Sequence, residues 1–339
     1  MERRHVTSPL KGPHGEHAEV MVAIGEDGKL RRVNFWDLDK TLVWAEEIHG
    51  PAVEELFSEV EDREELRHVY FAGFRLGNSY REWDRMIKIY HEGQAQHKDP
   101  SVYKAEFIDN HQNRALIDEP GHQENLHERA NDTLQRFGAI AFRVTSERYE
   151  HDPEFFQSEK FLNGPVYHLL RAKAHMGEVN MFMTANQKDF ASALVRYSGL
   201  WKYGLGLATD ETMAGGAKEI AIIKLIEELK QMGLEAADDR LVVIGDSISG
   251  DLGSGLKVSQ GDKDKKFAGI LIVKDSDELR AFKNRLAKTP TDENEANELA
   301  QTNAILKGVD VTAVASDSVR KTKSGRYKLG RIGSKKNKS

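Results

Sequence analysis

A regular alternation that begins at Gly177 narrows the fold more than any other feature of this sequence. Short apolar runs at 179–183, 203–208, 241–244 and 267–273 take turns with segments of helical periodicity at 187–197, 218–232 and 276–286. Runs this short and apolar read as strands buried on both faces. Strand and helix in turn predict an α/β, doubly wound parallel sheet of Rossmann-like type, with helices on both sides. In the helix at 187–197, Phe190, Leu194 and Tyr197 share one face. In the helix at 218–232, Ile220, Ile223, Ile226 and Leu229, or their neighbours, are expected to face inward.

Upstream the texture changes. Segments 54–70, 81–90 and 124–137 read as helices separated by polar stretches at 92–100 and 118–123, without strand alternation. We therefore expect a helical insert at 43–170, with the core formed by 18–42 and 171–288. Residues 1–17 are rich in Gly, Pro, His and charge and are expected to be a flexible leader. Residues 289–339 are expected to be a polar linker and basic tail. Strands are expected at 19–24 and 32–36, with a turn signal at Glu26-Asp27-Gly28-Lys29 between them. A hairpin is the obvious local pairing. It conflicts with a central place for 33–36 in a parallel sheet, where both edges of that strand are already taken.

Chemistry enters where Val33-Asn34-Phe35-Trp36 runs into Asp37-Leu38-Asp39-Lys40-Thr41. In an extended segment, carboxylates at i and i+2 point the same way. At the carboxyl end of a parallel strand they stand where open α/β sheets place their ligands. Two acids so close repel unless a cation lies between them, which suits a hard metal with oxygen ligands. The pair also suits one carboxylate attacking phosphorus while the other moves a proton.

Three downstream features extend this pattern. Thr184 follows the apolar run 180–183, and its hydroxyl can hold a phosphoryl oxygen or cap the next helix. Lys218 opens a long helix, although a cation there opposes the helix dipole. A bound phosphate with carboxylates around it would account for it. Lys224 is its competitor and reads better as a surface lysine. Asp246, which follows the run 241–244 after Gly245, is placed to reach the metal from the adjacent strand. Asp251 can ligate through water or anchor Lys218.

In this order the four pieces resemble the haloacid-dehalogenase (HAD) superfamily. Its pattern is an Asp-x-Asp-x-Thr strand end, a strand ending in Thr or Ser, a helix-opening Lys, and Gly-Asp with a second Asp four or five residues on. The resemblance covers 31–44 and 177–286. The form Asp37-Leu-Asp-Lys-Thr-Leu42 is similar to the phosphoserine-phosphatase-like branch, but the insert gives no such match. The resemblance implies a Mg²⁺-dependent phosphatase. Asp37 would be the nucleophile that forms an aspartyl-phosphate, and Asp39 the acid and then the base. Thr184 and Lys218 would bind the phosphoryl oxygens. Asp37, Asp39 (through its main-chain carbonyl), Asp246 and Asp251 would make up the metal site. It also implies that the insert is a helical type-one cap that selects substrate, with Trp44, His49, Arg75 and Arg81 as candidates. Dehalogenation is disfavoured because the dehalogenase branch lacks the second Asp.

Composition limits the partners. Cys is absent, which removes disulfides, thiolate metal sites and a Cys nucleophile, and suits a reducing cytoplasm. No apolar run reaches about 18 residues, so no membrane span is expected. No apolar signal segment follows the first residues. The net charge of −6 argues against nucleic-acid binding by the whole molecule. The segment 320–338, however, carries nine Lys and Arg and no acid, which suits a solvated tail or a grip on a polyanion. His111, His122 and His127 match no metal-ligand spacing. The expectation is a phosphatase acting on a small phosphorylated metabolite. A nucleotide or nucleic-acid-end phosphatase aided by the tail is the alternative, and a non-catalytic binding protein on the same fold is a third reading.

Overall fold

The computed structural model describes residues 1–56, 123–213, 217–262, 266–287, 289–290, 293–308, 310–315, 320–321 and 327–328. Two compact units emerge. One comprises Met1–Ala45 with Tyr149–Ser339, and the other is Glu46–Arg148.

The first unit opens with β1 (Glu2–Lys11) and β2 (His17–Ile24), paired antiparallel. Residues 1–17 are therefore not a loose leader. Most of them form one arm of this hairpin, and Val20 and Val22 of the other arm are buried in the main core. β3 (Val33–Asp37) does not pair with β2. It lies between β4 (Val179–Met183) and β6 (Leu241–Gly245), parallel to both. β5 (Leu207–Ala208), β7 (Phe267–Val273) and β8 (Asp310–Ala315) complete a six-stranded sheet of order β5-β4-β3-β6-β7-β8. From β3 the chain builds one side through β4 and β5, then crosses back to build the other through β6. That reversal opens a crevice at the carboxyl ends of the central strands.

Both faces of this sheet are covered. Val33, Phe35, Met181 and Val243 share one cluster with Ala221, Ile222 and Leu225 of the helix Lys218–Gln231. The alternate residues Asn34, Trp36 and Asn180 point the other way. There Asn34 and Trp36 both donate to Asn180, and Asn34 accepts from Lys173 of the helix Gly164–His175. We label the helices α1 (Glu46–Leu56), α2 (Gln123–His151), α3 (Gly164–His175), α4 (Lys188–Tyr197), α5 (Asp210–Met213), α6 (Lys218–Gln231), α7 (Gly253–Gly261), α8 (Ser276–Ala287) and α9 (Glu293–Gly308). Gly177, between α3 and β4, has φ of 75°, and a Cβ there would lie 2.7 Å from that of Ala23. Only glycine meets both demands.

Three expectations change. The core continues past 288, because α9 and β8 add a helix and an edge strand where a linker was expected. The expected strand at 203–208 shrinks to Leu207–Ala208, preceded by the 3₁₀ turn Leu200–Lys202. The buried stripe of α6 is Ala221, Ile222, Leu225, Ile226 and Leu229, whereas Ile223 is 44% exposed. Ile226 and Leu229 are buried as expected, and at the start of the helix the inward places go to the neighbours Ala221 and Ile222. Residues Arg320–Lys321 and Tyr327–Lys328 of the basic segment pair with each other as β9 and β10.

In the inserted unit, α1 and the larger part of α2 are described. Arg143 joins Glu147 at 2.7 Å and also Glu55, and the His49 ring lies 5.6 Å from that of Phe137. The helices expected at 81–90 and over most of 54–70 lie outside the described residues, as do Arg75, Arg81, His111 and His122 and the side chain of His127. Among the described residues no helix is long and apolar enough to cross a membrane.

Candidate active site

β3 ends at Asp37, and a tight turn follows. Leu42 and Val43 both donate their N–H to the Leu38 carbonyl, at 2.8 and 2.9 Å, and Lys40 N–H donates to Val43 O at 2.8 Å. Lys40 takes the left-handed conformation, φ 57°, which a lysine adopts only at some cost in strain. The far side of the turn is pinned by Asn163 N–H to Leu42 O at 3.0 Å and Trp44 N–H to Phe161 O at 2.6 Å. The extended geometry that would aim Asp37 and Asp39 at one point thus stops at Asp37. The two carboxylates enter different surroundings.

Asp37 is 5% exposed and belongs to a cluster with Asp246 and Asp251, whose nearest carboxylate oxygens all lie within 4.8 Å of one another. Lys218, at the first turn of α6, binds two of them. Its Nζ donates to Asp37 Oδ1 and to Asp251 Oδ1, each at 2.5 Å. These contacts account for a cation at a helix N-terminus: the two carboxylates outweigh the unfavourable dipole. Lys224, the sequence competitor, is exposed. Asp251 is fully buried and held at both ends, since its Oδ2 accepts from Ser247 N–H at 2.9 Å. It therefore acts as the anchor of Lys218. Its seat depends on Gly245, where a Cβ would come within 2.1 Å of Asp251 Oδ2.

The cluster holds more negative charge than Lys218 neutralises. Burial, then the charge of Asp251, raises the Asp37 carboxyl well above its ordinary value against the pull of Lys218. The same two causes push Asp246 up to about 6. Burial opposes the charge of Lys218, but Asp251 and Asp37 overcome it and hold the ammonium firmly protonated.

Asp39 stands apart from this cluster. Its Oδ2 accepts from Thr184 Oγ1 at 3.1 Å and from Asn186 Nδ2 at 2.6 Å. Burial raises its carboxyl, and those two donors together with Lys218 and Lys40 oppose the rise. Thr184 does not cap α4, whose N-cap is Gln187. Its hydroxyl proton is directed to Asp39, and its oxygen accepts from Asn186 N–H at 3.1 Å. Sequence reasoning passed over Asn186. The available signal was an amide two residues beyond a strand-ending Thr, at the mouth of the same crevice.

Asp37, Lys218, Asp246 and Asp251 are thus gathered at the carboxyl ends of two neighbouring strands, with Asp39 and Thr184 paired beside them. Thr41 is fully buried, and its hydroxyl has no hydrogen-bond partner among the described residues. Trp44 is half-buried beside the turn.

No protein-family model matches the chain, and no curated protein does. Several solved structures share its general architecture at low identity. CbbY from Rhodobacter sphaeroides, in complex with phosphate, is 17% identical, with 71% of this chain and 86% of that one covered at a TM-score of 0.39. The HAD hydrolase YfnB from Bacillus subtilis, bound to magnesium, is 10% identical over 75% and 99%, at 0.41. A protein from Thermotoga maritima assigned as a β-phosphoglucomutase is 13% identical over 85% and 95%, at 0.39.

Proposed function

We propose that this chain is a Mg²⁺-dependent phosphohydrolase of the HAD type, acting on a small phosphomonoester through an aspartyl-phosphate on Asp37. The observation that carries this reading is the separation of two carboxylates only two residues apart. Asp37 is gripped by Lys218 within an acid cluster, whereas Asp39 is held by neutral donors outside it. A pair of acids in unlike surroundings is what a nucleophile and an acid/base need in order to divide their roles.

The residues fit a divalent cation. Three carboxylates converge, two of them pushed upward in pKa by burial and then by the charge of Asp251, and all the donor atoms are hard oxygens. Asp37 and Asp246 would hold the ion, with the main-chain carbonyl of Asp39 and with Asp251 behind them. When bound, Mg²⁺ would supply positive charge that offsets the excess of carboxylates and the charge of the phosphate.

The chain's own groups do the rest. Lys218 is placed to share its charge with the phosphoryl oxygens as they approach Asp37. Asp37 attacks phosphorus, and Asp39 gives a proton to the departing oxygen. Asp39 then takes a proton from the water that releases the phosphate. Thr184 directs its hydroxyl proton to Asp39 and so steadies that acid rather than the phosphoryl oxygens.

Asn in place of Asp37 tests the mechanism. The amide keeps the shape but removes the nucleophile and one negative charge. With Mg²⁺ present, hydrolysis of p-nitrophenyl phosphate should vanish while circular dichroism is unchanged. Acid quenching of wild type during turnover should leave phosphate on the peptide that carries Asp37. Hydrolysis by Asp37→Asn at the wild-type rate would refute the assignment.

A further inference from the structure

Asn186 is held in place before it makes any contact with the acid/base. Its N–H donates to Thr184 Oγ1 at 3.1 Å, and its carbonyl accepts from Asp210 N–H at 3.1 Å. From that fixed backbone its Nδ2 reaches Asp39 Oδ2 at 2.6 Å, and the Thr184 hydroxyl donates to the same oxygen. The second oxygen of Asp39 is in the opposite condition. Oδ1 is buried and has no hydrogen-bond partner among the described residues.

Two donors on one oxygen and none on the other fix both the rotation of a carboxyl group and the site of its proton. A proton on Oδ2 would collide with two N–H or O–H hydrogens, while a proton on Oδ1 meets none. Rotating the protonated group by half a turn would drive its own O–H against the Asn186 and Thr184 donors.

We propose that Asn186 is a positioning residue that, with Thr184, turns Asp39 so that Oδ1 is the oxygen that exchanges protons with substrate. The proposal rests on the phosphohydrolase reading above and deepens it. In the first step an Asp37 carboxylate oxygen forms a bond to phosphorus. The bond from phosphorus to the ester oxygen breaks, its electron pair stays on that oxygen, and the proton on Asp39 Oδ1 moves there. The products are an alcohol, phosphorylated Asp37 and the Asp39 carboxylate. In the second step water attacks phosphorus, its proton moves to Asp39 Oδ1, and the Asp37–phosphorus bond breaks with its electrons returning to Asp37. Phosphate leaves, and both aspartates regain their starting forms.

The test is the dependence of kcat/KM on the leaving group, measured with the full chain in Mg²⁺. Phosphorylation is the step kcat/KM reports. p-Nitrophenolate departs without a proton, whereas an alkoxide needs one. Asn186→Ala should keep most of its kcat/KM on p-nitrophenyl phosphate and lose about 100-fold on an alkyl phosphate, the low end of what a general acid contributes. Asn186→Asp keeps the shape but faces Asp39 with an acceptor, and should show the same bias. It also serves as the second variant if the alanine variant misfolds. Inorganic phosphate should inhibit both variants as it does wild type, because Asn186 is not assigned to the phosphate itself. Equal losses on both esters, or no loss on either, would overturn the proposal and leave the phosphohydrolase reading standing. A wild-type protein inactive on every ester would overturn that reading as well.

Discussion

Replacing Asp246 by Asn should stabilise the metal-free protein, even though the residue lies in the candidate active site. The Asp246 carboxyl is pushed from an ordinary 3.8 up to about 6, chiefly by burial and by the charge of Asp251. A pH unit corresponds to about 1.4 kcal/mol, so keeping this group ionised in the folded state costs about 3 kcal/mol at most. Relaxation and solvent reduce that to roughly 1–2 kcal/mol. A folded-state pKa above the unfolded one means that the folded protein binds the proton more tightly. The penalty is therefore fully present above about pH 6 and absent below the unfolded value. In chelator at pH 7.5, Asp246→Asn should melt a few degrees higher than wild type, at about 2–4 °C per kcal/mol. The difference should shrink as the pH is lowered towards 4. Mg²⁺ should then raise the wild-type midpoint and leave the variant's much closer to its value in chelator, because the ion's carboxylate has become an amide. Differential scanning calorimetry at several pH values, with and without Mg²⁺, reads all three effects. A variant no more stable than wild type in chelator at neutral pH would refute the reasoning. So would a difference indifferent to pH, or equal stabilisation of both proteins by Mg²⁺.

Two further outcomes can be measured directly. Gly245→Ala places a Cβ against Asp251 Oδ2, at 2.1 Å before relaxation, and Asp251 is already held at both oxygens. Displacing it moves Lys218, so kcat/KM on p-nitrophenyl phosphate should fall by about 100-fold while the fold persists; unchanged activity would show that Asp251 does not set the lysine. Deleting residues 318–339 removes β9 and β10, which among the described residues pair with each other, and leaves β8 in the sheet. Hydrolysis of an aryl phosphate should be unchanged, and a small-metabolite enzyme should handle a 5′-phosphorylated oligonucleotide equally poorly before and after. Weaker oligonucleotide binding with a reduced salt slope after deletion would instead favour the nucleic-acid reading.

The parts of the fold legible in the sequence were those whose side chains are uniformly apolar. Runs such as 179–183 and 267–273 declare a strand buried on both faces, and the observed bounds of β4 and β7 match them. β8 was missed because Asp310-Val-Thr-Ala-Val-Ala315 is an edge strand with few large apolar residues. β1 was missed because its side chains are largely exposed, so alternation was weak and composition suggested a loose segment. The hairpin it forms is specified from the other side, by Val20 and Val22 of β2. In α6 three isoleucines drew the predicted stripe through Ile223, but burial follows the sheet surface, and that surface takes Ala221, Ile222 and Leu225.

The site divides in the same physical way. Asp37, Lys218, Asp246 and Asp251 were readable because each lies at the junction of an apolar strand or helix with a polar loop, where a charge has no structural excuse. Asn34 and Asn180 gave no such signal, although they sit side by side in adjacent strands beneath the site. There Lys173 binds Glu178 at 2.9 Å and Asn34 at 3.1 Å, and Trp36 Nε1 donates to Asn180 at 2.8 Å. Asn34 and Trp36 come from one stretch of chain and Lys173, Glu178 and Asn180 from another about 140 residues on, so the contacts between them exist only once the sheet is assembled. An amide inside an apolar run reads as a flaw until its partners are known, and buried amides without partners are costly. Asn186 is the functional counterpart of these two. Its role depends on Asp39 turning away from Asp37, and that turn is set by Lys40 in a left-handed conformation that no apolar pattern announces. Residue type and spacing therefore located the charges, whereas their division into a three-carboxylate cluster and a separately held Asp39 came from backbone geometry in the turn after β3.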